Sequence, residues 1–407
     1  MKYLLFITLI VLTSCFSELD DVNYPKFDES SILTGKTPLE NIDSDKIEGI
    51  YDVIEGQKQI GEKIILKWVN NKLTILTNKN TKFLILNSAY NDSAVFFEGY
   101  WRNIENSDVG KIILTVGKHE GYKTLFSSGD DTIIFNGYFT NIDNSTNKLK
   151  FKLIKKLKEN NDFYIIGHRG GGRNSDRLDA SENTVDMIKL SESLGCNSIE
   201  IDVKITKDNQ LILYHDNDLN PRLIQDTYMI GDISNYTYPI LKSFVNLKNG
   251  GKIPLLKEAL DVVIMETNLK LVWLDIKAHG ILKEVIKIQK EYENKAKNLN
   301  RDLEIYIGIP DEEVFNELKT IENYKDIKTI CELSESKVIE ISADIYAPRW
   351  SLGLQSDKIL SLKNQNIKSF TWTLDDRIFI KKYLFESYFD GILTNYPTIL
   401  AYEYYIK

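Results

Sequence analysis

The chain has 407 residues, 43% of them hydrophobic, and carries 51 Lys and Arg against 59 Asp and Glu, a net charge of −8. That length accommodates more than one domain at roughly 100–200 residues each, and the acidic balance excludes sequence-independent nucleic-acid binding, which needs a basic face to displace counterions. Three cysteines, Cys15, Cys196 and Cys331, make neither a disulfide framework nor a paired zinc or redox motif.

At the N-terminus, Lys2 is followed by an apolar run from Tyr3 to Leu12. It falls short of the about 20 residues a membrane span needs and suits the core of a signal peptide. The run ends in Leu12-Thr13-Ser14-Cys15, which resembles the bacterial lipoprotein cleavage motif. That resemblance implies that residues 1–14 are removed and that Cys15 is lipidated. The mature protein is then expected on a membrane of the bacterial cell envelope, outside the cytoplasm. Residues 15–46 are polar and read as a tether.

Residues 47–158 read as strands separated by turns. Examples are Ile64 to Val69, the turn Asn70-Asn71, Lys72 to Leu76, Lys82 to Leu86 and Ala94 to Trp101. β-branched and aromatic residues dominate, with Asn, Asp and Gly between the runs. This pattern predicts an all-β antiparallel barrel or sandwich. His119 beside Glu120 reads as a surface residue, and no cluster of catalytic side chains occurs here. The domain is expected to bind or position and not to catalyse. The charged stretch Lys155 to Asn161 predicts an exposed joint, with a second domain able to fold alone.

Residues 159–407 change pattern. Short apolar strands alternate with helical periods, beginning with Tyr164 to Gly167 and Ser198 to Val203. Repeated strand–helix units imply a parallel sheet, and this span of about 245 residues predicts an α/β TIM barrel. Leu211 to Tyr214 follows Val203 too closely for a crossover helix. It is therefore expected as a hairpin partner outside the parallel order.

Polar residues gather at the predicted strand ends, where barrels of this kind carry their chemistry. His168-Arg169-Gly170 follows one strand, Glu200 and Asp202 lie on the next, His215-Asp216 follows the hairpin, and Asp275 and Lys277 follow on a third. Period two places Glu200 and Asp202 on one side, where hard cations find oxygen ligands. With Glu182-Asn183-Thr184, Thr206-Lys207-Asp208, Ile253 to Glu258, Trp372-Thr373 and Asp390 to Pro397, these motifs resemble the glycerophosphodiester phosphodiesterases.

The resemblance covers about Phe163 to Leu400. It implies a TIM barrel that hydrolyses small glycerophosphodiesters to glycerol phosphate and an alcohol. His168 and His215 would be the acid–base pair, and Arg169 and Lys277 the phosphate-binding cations. Glu200, Asp202 and Asp275 would hold one divalent cation. Three carboxylates without a nearby Cys favour Mg²⁺ or Ca²⁺ over Zn²⁺. The attacking group stays open between water and a glycerol hydroxyl. Two other functions also stay open: a phospholipase C- or D-type lipid phosphodiesterase, and a non-catalytic surface module that binds phosphate esters. The sequence departs from the family pattern at Asp275, where Glu is usual, and at Asn395, where Asp is common. The segment Gly171 to Ser181 is also longer than usual; its Arg173 and Arg177 either line the pocket or are solvated.

Overall fold

Period-two strands bounded by Asn-rich turns close into the first barrel. The computed structural model describes residues 22–27, 31–40, 42, 44–79, 81–126, 129, 131–157, 162–225 and 228–407. The expected signal peptide, Cys15 and residues 158–161 of the expected joint lie outside the described residues. A short strand, β1 (Thr37–Pro38), precedes β2 (Gly49–Glu55), β3 (Lys63–Val69), β4 (Lys72–Thr77) and β5 (Lys82–Tyr90). Next come β6 (Ala94–Asn103), β7 (Val109–Gly117), β8 (Ile134–Thr140) and β9 (Thr146–Lys156). The order β5-β4-β3-β2-β9-β8-β7-β6, with β5 also pairing β6, closes an antiparallel barrel, and β1 pairs with β5. Asn70 and Asn71 both take positive φ, 48° and 61°, as a two-residue hairpin linking β3 and β4 requires.

The remaining strands are β10 (Tyr164–Gly167), β11 (Ser198–Ile205), β12 (Leu211–Leu213), the small pair β13 (Asp218–Leu219) and β14 (Gly231–Asp232), and β15 (Leu271–Ile276). They continue with β16 (Glu304–Ile309), β17 (Thr329–Cys331), β18 (Ile345–Tyr346), β19 (Lys368–Thr371) and β20 (Gly391–Thr394). The parallel order β10-β20-β19-β18-β17-β16-β15-β11 closes through β10 and β11 into a TIM barrel. β12 pairs antiparallel with β11, the hairpin expected from the short spacing. Helices alternate with the later strands, and side chains at their first turns set their starts. Asp311 accepts from the backbone N–H groups of Glu313 and Val314, and Asp376 from those of Ile378 and Phe379.

The two barrels share a core. On β3, Ile64 and Leu66 fill the first barrel, and so do Leu84 and Leu86 on β5. The intervening Ile65, Phe83 and Ile85 instead join Leu178, Ala180, Leu194, Leu400 and Ala401 of the second. Hydrogen bonds cross the same seam, from Tyr402 Oη to the Lys63 carbonyl (3.1 Å) and from Lys67 Nζ to Tyr405 Oη (3.2 Å). Of the expected joint, Lys155 and Lys156 are exposed, while the expectation of a second domain with a core of its own gives way to this shared packing. Both faces of β3 and β5 are apolar, so each strand serves two cores.

The shared core makes the barrels one unfolding unit. A single calorimetric transition is expected, and Phe83→Ala should lower it at a cost of about 3–5 kcal/mol. Two resolved transitions, with only one shifted by Phe83→Ala, would show that the barrels unfold independently.

Candidate active site

The site begins where β10 ends. Gly167 is packed so closely that a Cβ there would stand 2.6 Å from Cys196 Sγ. The chain then turns through His168-Arg169-Gly170, with Arg169 left-handed at φ 55°. This turn aims the Arg169 N–H at Glu200 Oε2, 2.8 Å away. On β11, Glu200 and Asp202 point the same way, and the parallel register sets Asp202 beside Asp275 of β15. Glu200, Asp202 and Asp275 are all buried, and one oxygen from each lies within 4.8 Å of the others.

Their remaining contacts fix the group. Asn183 donates through Nδ2 to Asp202 Oδ2 (2.6 Å) and accepts the Asp202 N–H on Oδ1 (3.0 Å). Lys277 Nζ donates to Asp275 Oδ2 at 2.6 Å and lies 3.4 Å from Asp202 Oδ1. Glu200 Oε1, Asp202 Oδ1 and Asp275 Oδ1 are buried without a hydrogen-bond partner. Burial, then the charges of Asp202 and Asp275, holds the Glu200 carboxyl well above the usual carboxylate range. Burial also lifts Asp275, against the pull of Lys277. Burial works to raise Asp202 too, yet Lys277 and His215 keep it low. Three oxygens without hydrogen bonds on crowded, buried carboxylates suit a hard divalent cation, so the residues fit such an ion.

Two histidines flank this corner with different partners. His168 Nδ1 lies 2.7 Å from Asn395 Oδ1, and its Nε2 lies 3.8 Å from Glu200 Oε2. Asn395 is oriented by Asp375, which accepts its Nδ2–H at 2.7 Å and its backbone N–H at 2.8 Å. An amide oxygen only accepts, so His168 carries its proton on Nδ1 and leaves the Nε2 lone pair free. Burial, aided by the Arg169 charge, pushes the His168 pKa down to about 4. His215 is brought in by the Tyr214 N–H, which donates to the Asp202 carbonyl at 3.1 Å. Its Nδ1 faces a carboxylate, Asp216 Oδ1, at 2.6 Å.

Behind them runs a second ionic chain. Glu182 accepts Arg169 Nη1 at 2.8 Å and Arg222 Nη1 at 3.1 Å. Arg222 in turn donates to Asp216 through Nη2 at 2.6 Å. His168, Arg169, Glu200, His215, Asp275 and Lys277 line one cavity of about 340 Å³. Asp202 lies beneath it, fully buried. The sequence-predicted residues from His168 to Lys277 thus converge. Arg173 does not line the cavity; it pairs with Asp176 at 3.0 Å and Tyr396 Oη at 2.9 Å.

Sequence reasoning missed Glu332 and Arg349, which also line the cavity, and assigned no role to Glu182, Arg222 or Asp375. Glu332 directly follows β17 and Arg349 lies just after β18, the same strand-end position that marked His168. Arg349 stacks over Trp372, its guanidinium carbon 4.7 Å from the ring centre, and Trp372 is pinned by its Nε1 on the Ala347 carbonyl (2.7 Å).

Residues 168–399 match the sequence profile of the glycerophosphoryl diester phosphodiesterase family. The chain belongs to this family. The glycerophosphodiester phosphodiesterase of Caldanaerobacter subterraneus subsp. tengcongensis is 25% identical over 250 residues, covering 58% of this chain and 95% of that protein. One from Bacillus altitudinis is 34% identical over 110 residues, 26% of this chain and 41% of that one. Among solved structures, an Oleispira antarctica phosphodiesterase in complex with the product sn-glycerol-3-phosphate aligns with a TM-score of 0.46 and 21% identity. That alignment covers 58% of this chain and 94% of that one. Glycerophosphodiester phosphodiesterase activity comes with the family membership; the matched residues 168–399 fall in the second barrel, and the acidic cluster lies at its strand ends.

His168 should be neutral in the folded, cation-free protein. Its folded pKa of about 4 lies below the ordinary histidine value of 6.5, so between those pH values the unfolded chain binds more protons. The His168 contribution is therefore fully present above pH 6.5 and is lost as pH falls toward 4. Imidazole nitrogen shifts should report an Nδ1–H tautomer and a midpoint well below 6.5. An Nε2–H tautomer, or an unshifted midpoint, would overturn the assignment.

Proposed function

We propose that the chain hydrolyses small glycerophosphodiesters to glycerol phosphate and an alcohol, using His168 and His215 for proton transfer and one divalent cation, Mg²⁺ or Ca²⁺. The observation that carries this is the set of three buried carboxylates, each with an oxygen that makes no hydrogen bond, in the same corner as both histidines. Glu200, Asp202 and Asp275 would hold the cation, which when bound neutralises charge on a phosphoryl oxygen.

The different partners of the histidines support a division of labour. His168, neutral with Nε2 free, takes the proton of the attacking hydroxyl, whether water or a glycerol hydroxyl. His215, its Nδ1 against Asp216 Oδ1, gives a proton to the departing alcohol oxygen as the P–O bond breaks. If a glycerol hydroxyl attacks, water opens the resulting cyclic phosphate with the two roles reversed. Arg169, held by Glu182, presents its remaining guanidinium edge to the phosphate, and Lys277 adds a point charge. The same proposal places the enzyme on a membrane outside the cytoplasm through Cys15, on the strength of the Leu12 to Cys15 motif.

His168→Ala and His215→Ala should each lower turnover of glycerophosphocholine by about 10²–10⁴-fold while circular dichroism stays native. A folded variant of either kind with near-normal rates would falsify the proton-transfer assignment.

Exhaustive chelation should abolish turnover, and Mg²⁺ or Ca²⁺ should restore it. Asp275→Glu should remain active with an altered metal preference, because the longer arm moves the oxygen relative to Glu200 and Asp202. Full activity after complete chelation would remove the cation from the proposal.

A further inference from the structure

Arg102 sits on β6 of the first barrel, next to Trp101, which fills that barrel's core. Its own side chain points the other way and is completely buried, at 0% exposure. Its Nη1 donates to the carbonyls of Asn103 and Asn106, and its Nη2 crosses the seam to the carbonyl of Asp176 at 3.1 Å. Burying a guanidinium is costly, and such a group is retained where its donor fork fixes a geometry.

Asp176 lies in the segment after β10 that begins at Gly171, and this segment connects directly to the catalytic residues. Two positions earlier, the Asn174 N–H donates to Glu182 Oε2 and its Oδ1 accepts the Glu182 N–H, both at 2.8 Å. Asn174 Nδ2 also reaches the Arg222 carbonyl at 3.3 Å. Glu182 is the carboxylate that grips Arg169 and Arg222, and Arg222 holds Asp216, the partner of His215. Hydrogen bonds and ion pairs, joined by the backbone between Asp176 and Asn174, therefore run from the first barrel to the imidazole of His215.

We propose that the first barrel is a working part of the active site, with Arg102 as a positioning residue that fixes the Asn174–Glu182 segment and, through it, Arg169 and His215. This rests on the roles proposed above for those two residues. The alternative is that Arg102 only glues the barrels together. Tyr402 makes an independent bond across the same seam, to the Lys63 carbonyl, and touches none of this series.

The test compares full-length Arg102→Met, Arg102→Lys and Tyr402→Phe with wild type on glycerophosphocholine. Arg102→Met should lower kcat/KM by about 10–100-fold, and Arg102→Lys should recover part of that loss. Tyr402→Phe should lower the melting temperature and leave kcat/KM unchanged. Combining Arg102→Met with Asn174→Ala should cost no more than the worse single variant, because both act through one segment. The His215 imidazole resonances should shift in Arg102→Met and stay in place in Tyr402→Phe. If Arg102→Met does not fold, Arg102→Lys takes its place, with a smaller fall in kcat/KM and the same non-additivity. Wild-type kcat/KM with unmoved His215 resonances, or losses additive with Asn174→Ala, would overturn the proposal. A wild-type enzyme without turnover would count against the hydrolase reading, and the His215 resonances would still decide the role of Arg102.

Discussion

Three carboxylates on two adjacent parallel strands, buried within 4.8 Å of one another, are the constraint around which the second barrel is arranged. Two unit charges 4 Å apart repel by about 4 kcal/mol even at the effective dielectric of a protein surface, and this corner is drier than that. Each neighbour of the cluster answers that repulsion. Lys277, two residues beyond Asp275, places its ammonium against Asp275 and near Asp202. Asn183 clamps Asp202 in place, and the Arg169 N–H is turned onto Glu200 by a left-handed residue. One oxygen per carboxylate is nevertheless left without a hydrogen bond, which fits the cluster to a cation and is poorly explained as structural polarity.

The same logic separates the histidines. Both sit at strand ends, yet one faces an amide and the other a carboxylate. An amide oxygen fixes the tautomer of His168 without adding charge, so burial dominates and the ring stays neutral. A carboxylate would have favoured the imidazolium. Asn395, a departure from the family pattern, thus suits a proton acceptor, and Asp375 ensures that its oxygen is the atom presented. Two different partners on one residue type suit the proposed division of His168 and His215 into proton acceptor and proton donor.

What the sequence revealed followed from periodicity and from adjacency. Glu200 and Asp202 are two apart on one strand, and His168 directly follows another, so their convergence was legible. Glu332 and Arg349 occupy equivalent places, but β17 and β18 are only three and two residues long, too short to show where a strand ends. Partners such as Asp375 with Asn395, or Glu182 with Arg222, join residues that no period connects. They appear only once the loops are folded against each other.

The seam between the barrels had a signal of a different kind. A strand packed on one face alternates apolar and polar, whereas Phe83-Leu84-Ile85-Leu86 and Ile64-Ile65-Leu66 are apolar at every position. Such runs in an antiparallel barrel mean that the outer face is covered as well as the inner. The residue parity then says which side chains meet the neighbour: Phe83 and Ile85 turn outward together, as Ile65 does. On β6 the outward set includes Arg102, and a charge buried in that set requires a specific acceptor across the seam. The acceptor is a backbone carbonyl in the segment bonded to Glu182, the carboxylate that grips Arg169 and Arg222, so the surface that joins the barrels is tied to the proposed site of the second.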